Sequence, residues 1–190
     1  MSQSYPGVYQ AQKKDGSTYY RASITYKQKH ISLGSYSSAS MACAAYLEAS
    51  SLLSSGELCL SDYSKFRLLS FEKWVCLLNF RNNDIYFSTP IYMRKNYFEY
   101  YLSPSYILKF DVDDLFYYSS HKIMRRVRHF FVAVYGMQVN IASRYGIKNY
   151  AVKGRDYLFV NGDNMDFRYE NIKILNSFHG VTKKETAKGL

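Results

Sequence analysis

Tyr20-Arg21-Ala22-Ser23-Ile24-Thr25-Tyr26 alternates in a way that only a half-buried strand uses well. Tyr20, Ala22, Ile24 and Tyr26 fall on one face, and Arg21, Ser23 and Thr25 on the other. On the N-terminal side, Gly7-Val8-Tyr9-Gln10-Ala11-Gln12 reads as a strand leading into a turn at Lys14-Asp15-Gly16, where Asp-Gly is a strong hairpin signal. On the C-terminal side, Lys27-Gln28-Lys29 reads as the next turn and His30-Ile31-Ser32-Leu33-Gly34 as a third strand, with Ile31 and Leu33 sharing a face. Ser37 or Ser38 then supplies an N-cap for a helix running to about Leu53. Ala42, Ala45, Tyr46, Ala49 and Leu53 recur along it at spacings of three and four, and the alanines let such a helix lie close to a sheet. The reading is a three-stranded antiparallel sheet packed on one helix.

The order of landmarks here resembles the APETALA/ERF DNA-binding domain. They are Tyr5-Pro6-Gly7-Val8, Tyr20-Arg21-Ala22-Ser23-Ile24, Leu33-Gly34-Ser35-Tyr36 and Met41-Ala42-Cys43-Ala44-Ala45-Tyr46-Leu47-Glu48-Ala49. The resemblance implies that the sheet enters the major groove of double-stranded DNA and reads it from its solvent face, as a β-ribbon fits that groove. Arg21, Ser23 and Thr25 would then face the groove, joined from the first strand by Tyr9, Gln10 and Gln12. Lys13, Lys14, Lys27 and Lys29 at the turns would face phosphates. The family usually carries arginine at least twice in the first strand. Tyr9-Gln10-Ala11 stands there instead, so the sequence preference is expected to differ from that of plant members.

A second resemblance lies near the C-terminus, in Tyr157-Leu-Phe-Val-Asn-Gly-Asp-Asn-Met-Asp-Phe-Arg-Tyr-Glu-Asn-Ile-Lys-Ile-Leu175. This run is similar to the phage-type HNH endonuclease site, with Asn161-Gly162-Asp163, Asp166, Arg168 and Asn171-Ile172 in register. The position of the catalytic histidine is Phe159, the acid before it is Leu158 and the central asparagine is Phe167. Ile107-Leu-Lys-Phe-Asp-Val-Asp-Asp-Leu115 resembles the opening of the same module. Phe130–Val134 reads as a strand. Met137–Ile147 would hold a short helix in which Ala142-Ser143-Arg144 matches a family Leu-His-Arg, again without the histidine. Members of the two families are often joined in bacterial and phage proteins, so each resemblance supports the other. The implied architecture is α+β: an APETALA/ERF-like domain over residues 1–54, a helical or irregular connecting region over 55–106, and a degenerate HNH-like ββα module over 107–177. Within the connecting region, Ser54-Ser55-Gly56-Glu57 reads as a linker, and a helix runs from Ser70 through Phe71, Trp74, Val75, Leu77, Leu78 and Phe80. In the tail over 178–190, Phe178-His179-Gly180-Val181-Thr182-Lys183 echoes Tyr5-Pro6-Gly7-Val8-Tyr9-Gln10, as the start of a second APETALA-type repeat would.

Composition points the same way. Net charge is +10, which favours an anionic partner, and nucleic acid is the commonest. The charge is spread along the chain rather than gathered in a tail, except that Lys122-Ile-Met-Arg-Arg-Val-Arg-His129 concentrates Lys122, Arg125, Arg126 and Arg128 into a possible phosphate-binding strip. Tyrosine contributes 21 residues, and its ring and hydroxyl suit wet, polar interfaces. Three cysteines without a CxxC pair argue against a disulfide framework or zinc site, and no signal profile or long apolar run is present. An intracellular protein is expected, in the cytoplasm of a bacterium or phage-infected host, without membrane association.

An HNH site needs a histidine base to activate water and side chains to hold a divalent metal. With Phe159 in place of the base, no catalytic residue, no metal and no cofactor are expected. Asp163 and Asp166 read as turn chemistry in Asn-Gly-Asp-Asn rather than as cation ligands. Asp111, Asp113 and Asp114 lack the glycine and closing glutamate of an EF-hand loop. The leading expectation is therefore a non-catalytic, double-stranded DNA-binding regulator of a phage or mobile element. Two alternatives stay open: an HNH-type metal-dependent endonuclease using atypical residues, and a protein-binding inhibitor of a host nuclease or CRISPR effector.

Overall fold

Hairpin chemistry builds the first layer of the molecule, whose residues 5–176 are described in a computed structural model. β1 (Val8–Gln12), β2 (Thr18–Tyr26) and β3 (Lys29–Tyr36) form an antiparallel sheet in that order. Between β1 and β2 the amide of Lys13 donates to the carbonyl of Ser17 (2.8 Å), and Gly16 takes φ +84°, which glycine adopts freely. Between β2 and β3 the two-residue loop places Lys27 and Gln28 at φ 45° and 63°, the geometry of a twisted hairpin turn without its usual Asn-Gly. A bulge at Ala22/Ser23 shifts the register, so Ala22 pairs with Gly34 while Ser23 pairs with Ser32.

α1 (Ala39–Ser54) covers one face of this sheet. Its N-cap is Ser38, whose hydroxyl accepts the amide of Met41 at 3.2 Å. Ala42, Ala45, Ala49, Leu52 and Leu53 are buried along it, against Ala22, Ile24, Ile31 and Leu33 of the sheet. At its C-terminal end, carbonyls of Leu52, Ser55 and Leu58 accept from the Arg81 guanidinium, a cation at the negative end of the helix. Glu48 reaches the other way and accepts the amides of Leu68 and Leu69, which ties the loop before the next helix to α1.

α2 (Phe71–Asn83) is the axle of the molecule. Seven consecutive residues, Trp74 through Phe80, are buried, and a helix apolar on all sides must be enclosed on all sides. Trp74, Leu77, Leu78 and Phe80 join the first core with α1 and the sheet. From the same helix, Cys76 donates to the carbonyl of Thr89 (3.3 Å), whose hydroxyl donates onward to the carbonyl of Ser119. Asn79 is wholly buried; its amide donates to Ile85 (2.7 Å), and its oxygen accepts from Met93 (2.8 Å) and from Asn83. One side chain thus fixes the helix end and the start of the second unit.

That second unit holds three small antiparallel sheets. β4 (Ile91–Met93), β5 (Tyr97–Ser103) and β6 (Tyr106–Asp111) form the first, so the tyrosine-rich stretch within 84–106 is largely strand rather than irregular. A short 3-10 turn and α3 (Leu115–Ser120) follow. β7 (Ile123–Arg126), β8 (His129–Val134) and β9 (Met137–Asn140) make the second sheet, with β8 at the predicted 130–134. The short helix expected over 137–147 is half strand: β9 takes its first residues, and a 3-10 helix at Ile141–Tyr145 holds Ala142-Ser143-Arg144. β10 (Tyr157–Phe159) and β11 (Ile172–Ile174) form the last pair. The loop between them docks on β6, where Lys109 donates to Met165 (3.0 Å) and accepts from Phe167 (2.8 Å).

The class is therefore mixed α+β, with several small antiparallel sheets and three α-helices among the described residues. Of the expected ββα unit, the β10–β11 hairpin lies among the described residues, and no helix follows β11 within them. The echo of the first strand expected at 178–183 lies outside the described residues. No helix among the described residues is long and apolar enough to cross a membrane.

Candidate nucleic-acid interface

Strand parity decides which side chains can share the open face of the first sheet. Tyr9 pairs with Arg21, and Ala11 with Tyr19; Thr25 pairs with His30, and Arg21 with Ser35. Cross-strand partners project to the same side. The open face therefore presents Tyr9, Tyr19, Arg21, Thr25, His30 and Ser35, away from α1. Arg21 is exposed and donates from Nε and Nη2 to the Tyr19 hydroxyl (3.1 and 2.6 Å), so the guanidinium is held against the sheet at its centre. Tyr19 and His30 were missed by the sequence reading, although the parity that placed Arg21 would have found Tyr19.

Several expected contact residues move elsewhere. Gln10 and Gln12 pair with Tyr20 and Thr18, on the same side as Val8, so they project to the helix side of the sheet rather than to the open face. Ser23 shares the parity of Arg21 and Thr25 but is 7% exposed. Its amide donates to the carbonyl of Gly7 (2.9 Å), and the Pro6-Gly7 turn closes over it. Gly7 is required there: at φ +67°, an added Cβ would lie 2.4 Å from the Ser23 carbonyl oxygen and 2.4 Å from the Tyr46 ring. Lys27 forms an ion pair with Asp84, which raises the pKa of its ammonium. Lys29 pairs across from Tyr26, with its ammonium 5.8 Å from the Tyr86 ring. Both therefore lean toward the α2–β4 connection. Lys13 and Lys14 stay exposed at the β1–β2 turn.

The basic strip over 122–129 folds into the β7–β8 hairpin and divides. Lys122 pairs with Glu72 of α2 (2.7 Å). Arg126 is exposed on the far side of β7. The Arg125 guanidinium lies over the Tyr106 ring, 3.8 Å from its centroid, and donates to the carbonyl of Val127. Arg125 and Arg128 line a cleft of about 610 Å³ together with His129 and Lys153. Its remaining walls include Tyr106, Phe130, Tyr157, Phe159 and Phe167, and none of its lining residues is acidic.

The run over 157–175 sits beneath this cleft and is tied together by its own polar side chains. Asp166 is fully buried and accepts from Arg168 Nε (2.9 Å) and Nη2 (2.6 Å), from the Arg168 amide and from Asn161 Nδ2. Burial would raise the pKa of this carboxyl, but its bonds to Arg168 and Asn161 outweigh that and hold it below the ordinary value. Asp163 pairs with Lys109 (3.1 Å) and accepts the amide of Met165. Asn171 donates to the carbonyl of Asp166 (2.9 Å) and accepts the amide of Asn161. The polar members of the motif are thus engaged with one another or, for Asp163, with Lys109.

Phe159 and Phe167 are part of the core. Phe159 and Phe167 meet edge to face at 5.8 Å, and Phe167 stacks on Phe110 at the same separation. Phe110 stacks in turn on Tyr118 at 4.1 Å. Asp114 accepts from Arg144 (2.9 Å) and the Tyr145 hydroxyl (2.7 Å), while Asp111 accepts the amide of Tyr169. Burial and the neighbouring Tyr118 and Asp114 push the Tyr145 hydroxyl far above its usual pKa, so it stays a donor. Among the described residues, no group of three or more His, Cys, Asp or Glu is placed to hold a metal ion. Comparison with protein-family models, with curated proteins and with solved structures finds no match.

Proposed function

We propose that this chain is a non-catalytic protein that binds double-stranded DNA through the open face of β1–β3, as a regulator from a phage or mobile element. The observation that carries the reading is the placement of Arg21. It stands exposed at the centre of a three-stranded sheet whose other face is closed by α1, with Tyr9 directly opposite it and Lys13 and Lys14 at the adjoining turn. A twisted sheet of this size fits the major groove, and an arginine there can address guanine. The charge of +10 supplies the general attraction. APETALA/ERF-like ancestry for residues 1–54 and HNH-like ancestry for 107–177 belong to the same proposal. The reading as an atypical HNH endonuclease has less support, because Asp163, Asp166 and Arg168 are engaged with one another or with Lys109 and Asn161. Nothing specific favours the inhibitor reading.

Selection from a random duplex library at two salt concentrations tests the proposal. We expect recovery of duplexes, with affinity that falls as salt rises and drops about tenfold in Arg21→Ala. Absence of duplex affinity at low salt would refute it. Retained affinity without any preference would reduce it to binding of the phosphate backbone alone.

A further inference from the structure

The cleft beneath the β7–β8 hairpin has the chemistry of a nucleotide site, and it lies on a different part of the molecule from the sheet face assigned to duplex DNA. Its volume of about 610 Å³ is that of a small-molecule site. Its floor is aromatic: Phe130, Phe159 and Phe167 are buried beneath it, and Tyr106 and Tyr157 are half-buried at its sides. Its mouth is cationic, from Arg125, Arg128 and Lys153, with His129 beside them. None of these three cations has a carboxylate within ion-pair distance among the described residues. Four cations around the cleft are instead paired: Lys109 with Asp163, Arg144 with Asp114, Arg155 with Asp156 and Arg168 with Asp166. An aromatic floor under an unneutralised cationic mouth suits a ligand with a flat apolar face and an attached anion.

We propose that this cleft takes one unpaired nucleotide, its base against the aromatic walls and its phosphate on Arg128 and Lys153. Arg125 acts as a positioning residue: stacked 3.8 Å over Tyr106 and bonded to the Val127 carbonyl, it holds the tyrosine wall and the hairpin turn together. A paired base cannot use the site. In a duplex the base faces are covered by their neighbours in the stack, and only an extruded or single-stranded base can reach a concave floor. The ligand is therefore a single-stranded stretch, a strand end or a free nucleotide, and the site operates whether or not the first sheet binds duplex.

The test uses the full chain and fluorescence anisotropy with a labelled dT10 strand and, separately, a labelled blunt duplex. We expect dT10 to bind, and Arg128→Glu/Lys153→Glu to weaken it by about tenfold or more while changing duplex affinity less than about twofold. Arg21→Glu is expected to do the reverse, so failure of the cleft and failure of the sheet reading are separable. Both cleft residues are exposed, and the milder Arg128→Gln/Lys153→Gln pair guards against any folding defect. Displacement of dT10 by millimolar dTMP would assign the site to a free nucleotide, and displacement only by unlabelled strand would assign it to single-stranded DNA. Absence of dT10 binding, or dT10 binding unmoved by the double substitution, would overturn the proposal. So would equal loss of duplex and dT10, which would make the hairpin part of one duplex surface.

Discussion

At Asp166 the difference between a motif and its use is plain. The same Asn-Gly-Asp, Asp and Arg that resemble a nuclease site are consumed in a closed set of bonds around a fully buried carboxylate. Asp166→Asn leaves Arg168 with only the exposed Glu170 as an ionic partner and is expected to cost about 3 kcal/mol, measured by denaturant unfolding. Because the folded pKa of Asp166 is lowered, its contribution is present above the unfolded carboxylate value and is lost as pH falls through the folded one. The wild-type chain should therefore lose stability below roughly pH 4, and Asp166→Asn should show a flatter acid limb. Placing a histidine at Phe159, where the resemblance to a nuclease site puts a base, is expected to give no activity. Phe159→His places an imidazole against Phe167 and Tyr157 at a site only 7% exposed. It should lower stability by about 2 kcal/mol and give no metal-dependent nicking of supercoiled DNA. Nicking by that variant would restore the nuclease reading.

Among the elements, the first three strands and α1 were the most legible, because a period of two followed by a period near four leaves few alternatives. The turn at Lys27-Gln28 was found from the hydrophobic runs on either side, and its strain was not. Both residues take positive φ. Gln28→Gly should relieve about 1 kcal/mol of backbone strain and return part of it as unfolded-state freedom, for a net gain of roughly 0.5 kcal/mol in thermal unfolding. Gly7→Ala should act in the opposite sense and cost about 2 kcal/mol or more, since the Pro6-Gly7 turn would have to lift off Ser23 and Tyr46. The burial of Ser23 was illegible for the same reason: it depends on a bulge and on the chain folding back, and neither leaves a periodic trace. Tyr97–Ser103 shows a second limit. Phe98 through Tyr101 are all buried, Glu99 among them by its bonds to Arg94 and Tyr101, so burial does not alternate along the strand. The cleft cations came only half into view, because Lys153 stands alone in sequence and meets Arg128 only through the tertiary fold.

For the molecule as a whole, the division into an N-terminal module, a connector and a C-terminal module underplayed the middle. α2 belongs to both units, packing Trp74 and Leu77 into the first core and joining Cys76 and Asn79 to the backbone that opens the second. Asn79→Ala would orphan the amide of Met93 and should cost about 2 kcal/mol. Shared ownership of one helix also predicts that the two units unfold together. The chain contains one tryptophan, and it is Trp74, fully buried with the Arg67 guanidinium 4.4 Å above its ring. Its indole is thus a built-in optical probe of the axle itself. During a denaturant titration the red shift of its emission should superpose on the loss of far-ultraviolet circular dichroism, which sums over every strand. A dichroism loss that runs ahead of the emission change would mean that the second unit melts while the helix between the two still holds its indole dry.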